Sequence, residues 1–269
     1  MRLVLLLILI LTISAPAFAD TYKLSMLPRY SPEEINRRIT PLARYLSKKT
    51  GHNIEAVITS DFGQYEKQLK NGSIAIGYEN PYIYALVSDS HEAIAMALKG
   101  KDKDKFRGII IARVETGLST LKDLRGKTIS IVGYTSAGGY LSQKLSLMNA
   151  GFKKTDVNLT EAINNKQENV ILAVYTGEVD AGFIRESALH QADKYIATSQ
   201  IKVVSKCAWL PNWAFSVKKT LPGQFKKDIQ TALLNLESNH NVMKTLKINS
   251  FRSAVDEDYD TVRQAAGLN

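Results

Sequence analysis

The chain has a single cysteine, Cys207, in 269 residues. No intrachain disulfide is possible, so stability must come from a buried apolar core. Cys207 stands among apolar neighbours and reads as a small packing residue; a nucleophilic cysteine would need a partner base, and the sequence identifies none. Histidine is nearly as scarce: His52, His91, His190 and His240 are scattered without metal-ligand spacing, so they read as surface or structural and no metal site is expected. Beyond residue 19 no apolar stretch is long enough to cross a bilayer. Aromatic residues are not interleaved with basic ones. The densest basic run, residues 99–107, reads as a solvated charged loop, so nucleic acid is not an expected partner. The formal net charge of +9 instead favours small anions and steers them inward. Nothing implies a cofactor.

Residues 1–19 combine Arg2, an unbroken apolar core over 3–13 and a small-x-small site at Ala17-Phe18-Ala19. This pattern is that of a cleaved secretory signal peptide, which predicts a soluble chain exported to the periplasm. No cysteine near the cleavage point offers a lipid attachment site.

From there strand and helix signals alternate. Residues 22–27 alternate as a strand. Ser31-Pro32-Glu33-Glu34 supplies an N-cap, a proline at the first helical position and acids in the first turn. Ile35, Ile39, Leu42 and Leu46 mark one helical face, and Gly51 ends it. Strands follow over 53–59, 74–78, 93–98, 108–113, 128–132, 179–183, 201–204 and 213–217. Helices fall between them, and the C-terminal third reads as helical over 224–236, 241–246 and 257–266. The alternation predicts an α/β fold with helices on both sheet faces. The segment Gly72 to Tyr78 is echoed by Gly177 to Phe183, each a short strand ending in Gly-aromatic after a helix, which suggests two lobes built alike.

The pivotal stretch is the turn after the 128–132 strand. Thr135 and Ser136 supply hydroxyls and Gly138 and Gly139 flexibility, ahead of a helix marked by Leu141, Leu145 and Met148. A glycine-rich turn feeding a helix leaves N–H groups aimed at one spot, where the helix dipole favours an anion. The plain alternative is a strand–turn–helix junction with Ser/Thr caps.

Read together, these segments resemble periplasmic solute-binding proteins of ABC importers, of the phosphonate, phosphite and phosphate type. The resemblance runs in order through Pro41-Leu-Ala-Arg-Tyr-Leu-Ser-Lys-Lys-Thr-Gly51 and Leu69-Lys-Asn-Gly-Ser-Ile-Ala-Ile-Gly-Tyr-Glu-Asn-Pro-Tyr-Ile-Tyr84. It continues through Leu121-Lys-Asp-Leu-Arg-Gly-Lys127, Thr135-Ser-Ala-Gly-Gly-Tyr-Leu141, Glu168-Asn-Val-Ile-Leu-Ala-Val174 and Gly177-Glu-Val-Asp-Ala-Gly182. It implies a periplasmic binding protein type II-like fold, two α/β lobes joined by a two-strand hinge. By position, lobe 1 would hold residues 20–113 and 214–269, and lobe 2 residues 114–213. The first crossing would fall near 111–117 and the return near 206–215.

The resemblance also implies site residues. The family's phosphonyl group sits on a Ser-Thr-Ser loop, which maps to Thr135, Ser136, Ala137, Gly138 and Gly139; Tyr78 and Asn80 would face it from the first lobe. Glu168 matches an acidic position that meets a ligand amine in aminophosphonate binders, and Asp180 falls near a second acidic contact. This chain keeps at most two of the three hydroxyls, and leaving one ligand oxygen buried and unpaired costs roughly 1–3 kcal/mol. Either the ligand carries fewer oxygens, or Tyr140 or Tyr30 supplies the missing donor. Of the residues themselves, Tyr78 reads as a stacking and donating cleft residue, Tyr84 as packing, and Tyr82 as open. Glu168 is equally explained by the helix dipole. Asp180 needs a partner, and Arg185 is either that partner or a bidentate anion clamp. Of two tryptophans near the return hinge, Trp213 rather than Trp209 is expected to line the cleft.

The expectation is a non-catalytic, monomeric protein that closes on a small anionic ligand and presents it to a membrane ABC permease. A sensory version of the same fold, feeding a membrane receptor or kinase, is the first alternative. An exported hydrolase is the second: Ser136 sits on a strand-to-helix turn, but the Gly-x-Ser-x-Gly pattern is absent.

Overall fold

The computed structural model describes residues 20–100 and 104–268. The signal-peptide stretch and the middle of the 99–107 run lie outside them.

The chain begins with β1 (Thr21–Met26), α1 (Pro32–Thr50) and β2 (Asn53–Ala56). Ser31 Oγ accepts the Glu34 N–H at 3.3 Å, and Gly51 closes α1 in the left-handed conformation with its N–H on Ser47 O. The buried stripe of α1 contains the expected Ile35, Ile39, Leu42 and Leu46, and also Arg38. Next come α2 (Phe62–Lys70), β3 (Ile76–Glu79), α3 (Pro81–Val87), β4 (His91–Leu98) and β5 (Lys105–Arg113). The middle of the chain carries β6 (Thr128–Ile131), a π-helical turn over Ala137–Leu141, α4 (Ser142–Asn149), β7 (Asn158–Glu161), α5 (Gln167–Tyr175), β8 (Ala181–Arg185) and α6 (Glu186–Leu189). The remainder holds β9 (Ile201–Pro211), β10 (Ala214–Lys218), α7 (Gly223–Leu234), α8 (Asn241–Leu246), β11 (Ser250–Ser253) and α9 (Asp260–Ala266).

These strands make two mixed sheets, one per lobe. The first has the order β11-β4-β10-β3-β1-β2 and the second β7-β6-β8-β5-β9. In each, two parallel pairings lie beside an antiparallel one: β2, β1 and β3 run parallel with β10 against them, and β7, β6 and β8 run parallel with β5 against them. The internal echo is thereby real in three dimensions. Ser25 lies opposite Gly77 in the first sheet and Ser130 opposite Gly182 in the second, so Tyr78 and Phe183 occupy matching positions. Gly182 has a packing reason for lacking a side chain: a Cβ there would stand 2.7 Å from methyls of both Val170 and Val174 on α5.

Two segments cross between the sheets, β4 to β5 and β9 to β10. They run side by side, with Asn212 N–H donating to Asp104 O at 2.7 Å and Ala97 N–H to Trp213 O at 3.0 Å. The return crossing lies inside the expected 206–215 window. The first crossing does not lie at 111–117: β5 pairs with β9 from Lys105 to Arg113 and with β8 from Gly108 to Ala112, so residues 105–113 belong to the second sheet and the chain crosses before Lys105. The continuous apolar run Ile109-Ile110-Ile111-Ala112 fits this place, since both faces of β5 are buried under separate clusters.

The first lobe's core gathers Leu24, Ile39, Leu42, Leu69 and Phe215. In the second, Ile110, Ile129 and Phe183 pack on one face, and Ile109, Ile111 and Ile184 on the other. The C-terminal helix α9 adds Val262 and Ala265 to the cluster that also takes Ala85 from α3, so it braces both lobes beside the crossings. Two short edge strands, β7 and β11, have no counterpart in the sequence reading. β9 extends seven residues past the expected 201–204 strand, to Pro211.

Candidate anion site

Ligands of open α/β sheets sit beyond the carboxyl ends of parallel strands. In this chain the ends of β1, β3 and β8 converge on one cavity of about 30 Å³. Its first-lobe wall carries Arg29, Tyr30 and Arg38 from the segment after β1, Tyr78 from β3, Lys99 after β4 and Trp213 at the return crossing; the second lobe contributes Arg185 at the end of β8. Met26, Ala97, Leu246 and Ile248 form its apolar side. The space matches one or two waters, so anything larger enters only as the lobes part.

The aromatic frame is tightly organised. The Tyr78 and Trp213 rings lie 5.1 Å apart. The Arg29 guanidinium is 5.0 Å from the Tyr30 ring and 5.5 Å from Trp213, and that of Arg38 is 4.2 Å from the Tyr30 ring. Arg185 lies 4.0 Å from the Phe106 ring, and its own N–H donates to Gln167 Oε1 at 2.8 Å, which pins the end of β8.

The four cations are not equivalent. Arg38 is neutralised: it donates to Glu34 Oε1 at 2.6 and 2.9 Å and to Leu246 O at 3.1 Å. Among the described residues, no ion pair includes Arg29, Lys99 or Arg185. Burial, then the neighbouring Arg29, lowers the proton affinity of Arg185 to about 10. Lys99 is exposed as a whole residue, yet desolvation around its ammonium and repulsion from Arg185, Arg29 and Arg38 bring it down to about 8. Burial also raises Tyr78 well above the usual phenol range, so its hydroxyl stays a donor. The site is thus a compact positive field framed by neutral hydroxyls.

Behind Tyr78 lies a second polar group of residues, sealed from solvent. Glu79 accepts from Tyr65 Oη at 2.7 Å, while its Oε1 has no hydrogen-bond partner among the described residues. Burial lifts Glu79 to about 7. Its side chain folds over Gly77, where a Cβ would stand 2.4 Å from Oε2. His91 Nδ1 meets Ser216 Oγ at 3.1 Å, and burial lowers this histidine to about 4.

Of the residues expected from sequence, Tyr78 and Trp213 line the cavity. Asn80 caps α3, its Oδ1 accepting the Ile83 N–H at 2.8 Å. The turn at 135–140 is more self-contained than the sequence suggests. Ser136 N–H donates to Gly133 O, Gly139 N–H to Ser136 Oγ, and Leu141 N–H to Ser136 O. Thr135 is exposed; Ala137, Gly138, Gly139 and Tyr140 are buried, and Tyr140 packs edge-on against Tyr134 at 5.0 Å. The two glycines serve close approach. A Cβ on Gly138 would stand 3.0 Å from Arg185 Cβ, and one on Gly139 would stand 2.3 Å from a Val132 methyl. Gly138 therefore lets Arg185 lie across the start of the turn.

Glu168 is exposed in the first turn of α5 and does not line the cavity. Asp180 precedes β8, at the end opposite Arg185. Its Oδ2 accepts the Thr128 N–H at 2.8 Å and its N–H returns a bond to Thr128 O, so its partner is backbone and not Arg185. Arg29, Arg38 and Lys99 are cavity residues that sequence reasoning missed. The rule that ligands sit beyond the carboxyl ends of the strands points, after β1, to Arg29 and Tyr30. Arg38 carried no signal of its own, because a charged residue on a helix normally faces water.

Residues 24–259 match the family described as ABC transporter, phosphonate, periplasmic substrate-binding protein. The phosphate-import protein PhnD of Mycolicibacterium smegmatis is 24% identical over 223 residues, 77% of this chain and 69% of that protein. The tetrathionate sensor histidine kinase TtrS of Salmonella typhimurium is 24% identical over 144 residues, 51% of this chain and 24% of the kinase. Among solved structures, XAC2383 from Xanthomonas citri bound to ATP superposes with a TM-score of 0.78 at 15% identity, covering 93% of this chain and 96% of that one. PhnD1 from Prochlorococcus marinus in complex with methylphosphonate gives 0.72 at 14% identity, covering 92% and 97%. At these identities the structural likeness speaks for the two-lobed fold, while the sequence match over residues 24–259 speaks for descent. The chain belongs to the family of periplasmic substrate-binding proteins of phosphonate ABC transporters.

Proposed function

We propose that this chain captures a small oxyanion between its lobes in the periplasm, as a monomer and without chemistry, and presents it to a membrane ABC permease. One observation carries the reading: Arg29 and Lys99 of one lobe and Arg185 of the other converge on the same cavity with no ion-pair partner among the described residues. Cations held together without counter-charge repel one another, and an anion placed between them turns that repulsion into attraction. Because the charges come from both lobes, the anion favours the closed arrangement over the open one. Closure is then a population shift driven by contacts that exist only when the lobes meet. Tyr30 and Tyr78 are the proposed hydroxyl donors, with Ser136 and Thr135 at the turn beside Arg185.

The test is a thermal-shift series of the mature chain with methylphosphonate, phosphate and sulfate. A ligand at about 100 times its Kd stabilises by roughly 2.7 kcal/mol, several degrees in Tm. No shift with any of these anions would refute the reading. The match of half the chain to part of a sensor kinase supports a second reading, ligand sensing through a membrane receptor. Affinity capture of a permease rather than a receptor separates the two.

A further inference from the structure

Resting on the anion-capture reading, the cavity's charge inventory narrows the ligand. We propose that the ligand carries at least two negative charges and no amine, gripped by Arg29 and Lys99 on one side and Arg185 on the other.

The argument begins with what the cavity lacks. Among the described residues its lining contains four basic side chains and no acidic one. Glu34, the carboxylate bonded to the lining residue Arg38, is shared between Arg37 and Arg38. Glu168, the residue that would suit a ligand amine, stands exposed on α5 outside the lining. Asp180 is held on Thr128 at the far end of β8. An ammonium brought in on a ligand would lie among three cations without ion-pair partners and, among the described residues, find no carboxylate in the lining. A single negative charge would leave most of the mutual repulsion of those cations standing, whereas a dianion offsets far more of it.

The remaining wall agrees. Beside the charges stand Met26, Ala97, Leu246 and Ile248, an apolar surface suited to a short alkyl substituent and poor for a hydrated ammonium. The small volume keeps that substituent short.

Three isosteric probes isolate the two halves of the proposal: ethylphosphonate, ethanesulfonate and aminomethylphosphonate, titrated calorimetrically into the mature chain at pH 7.5. Ethylphosphonate is expected to bind at least about tenfold more tightly than either of the others, a difference that like-charge and missing-charge interactions of this range supply. The penalty on aminomethylphosphonate should shrink in Lys99→Gln and in Arg29→Gln. Binding of aminomethylphosphonate as tight as that of ethylphosphonate would overturn the exclusion of amines. Ethanesulfonate equal to or tighter than ethylphosphonate would overturn the charge requirement. If none of the three binds while phosphate or methylphosphonate does, the proposed ligand class falls and the anion-capture reading stands; if phosphate and methylphosphonate fail as well, the anion-capture reading itself falls.

Discussion

Replacing Glu79 by glutamine should change how the stability of this protein depends on pH, and the size of the change follows from two neighbouring buried groups. Glu79 is raised from its ordinary value of 4.5 to about 7 by burial. The folded state therefore holds a proton that the unfolded chain releases, so the contribution of Glu79 is full below about pH 4.5 and is lost as pH rises toward 7. At 1.36 kcal/mol per unit the loss is roughly 3 kcal/mol. His91 is lowered from 6.5 to about 4 by burial. The folded state resists its protonation, so its contribution grows by roughly 3 kcal/mol between pH 4 and 6.5. The two slopes oppose each other, and the wild-type chain should show little net pH dependence from this pair. Glutamine keeps the shape and an acceptor for Tyr65 Oη but removes the falling limb. The stability of Glu79→Gln minus that of wild type, from urea unfolding at half-unit pH steps, should rise by about 3 kcal/mol from pH 4.5 to 7. All other titrating groups cancel in that difference. A flat difference curve would mean that Glu79 is already ionised in the fold, and the buried-network account would fail.

Lys99, lowered to about 8 mainly by desolvation, should make affinity for sulfate, which stays fully ionised, weaken as pH rises from 7 to 9; calorimetry of Lys99→Gln should show that dependence gone. Gly139→Ala places a Cβ 2.3 Å from a Val132 methyl, and overpacking of this kind should cost about 1–3 kcal/mol, read as a lowered Tm. Asp180→Ala removes the acceptor of the Thr128 N–H, which should cost roughly 1–3 kcal/mol of stability while leaving methylphosphonate affinity within about twofold, since the group is remote from the cavity.

The frame was legible from sequence because its signals are local. The cap at Ser31, the apolar face of α1 and the left-handed Gly51 each follow from a few adjacent residues. The edge strands β7 and β11 were not legible, since Asn158-Leu159-Thr160-Glu161 and Ser250-Phe251-Arg252-Ser253 are short and mostly polar, too brief for alternation to register. The first crossing was misplaced because β4 and β5 are separated by a charged loop that resembles an ordinary hairpin, while their pairing partners lie far away in sequence. The site divides the same way. Tyr78 and Trp213 could be read from their place beside glycine-aromatic and hinge signals. Arg29, Lys99 and Arg185 come from three separate strand ends, and nothing local says that they meet. Glu168 and Asp180 looked functional as isolated acids, and the bonds that explain Asp180 belong to the neighbouring strand.

The central claim is that a cation on each lobe shares one anion, and the affinity of Arg185→Gln for methylphosphonate tests it most directly. Arg185 is a desolvated charge without an ion-pair partner among the described residues, so its removal should leave the unliganded chain as stable as wild type or more so. Binding should weaken by at least about thirtyfold, corresponding to roughly 2 kcal/mol for the loss of one partner of a buried charge pair. An affinity within twofold of wild type, in a variant of unchanged Tm, would contradict the account.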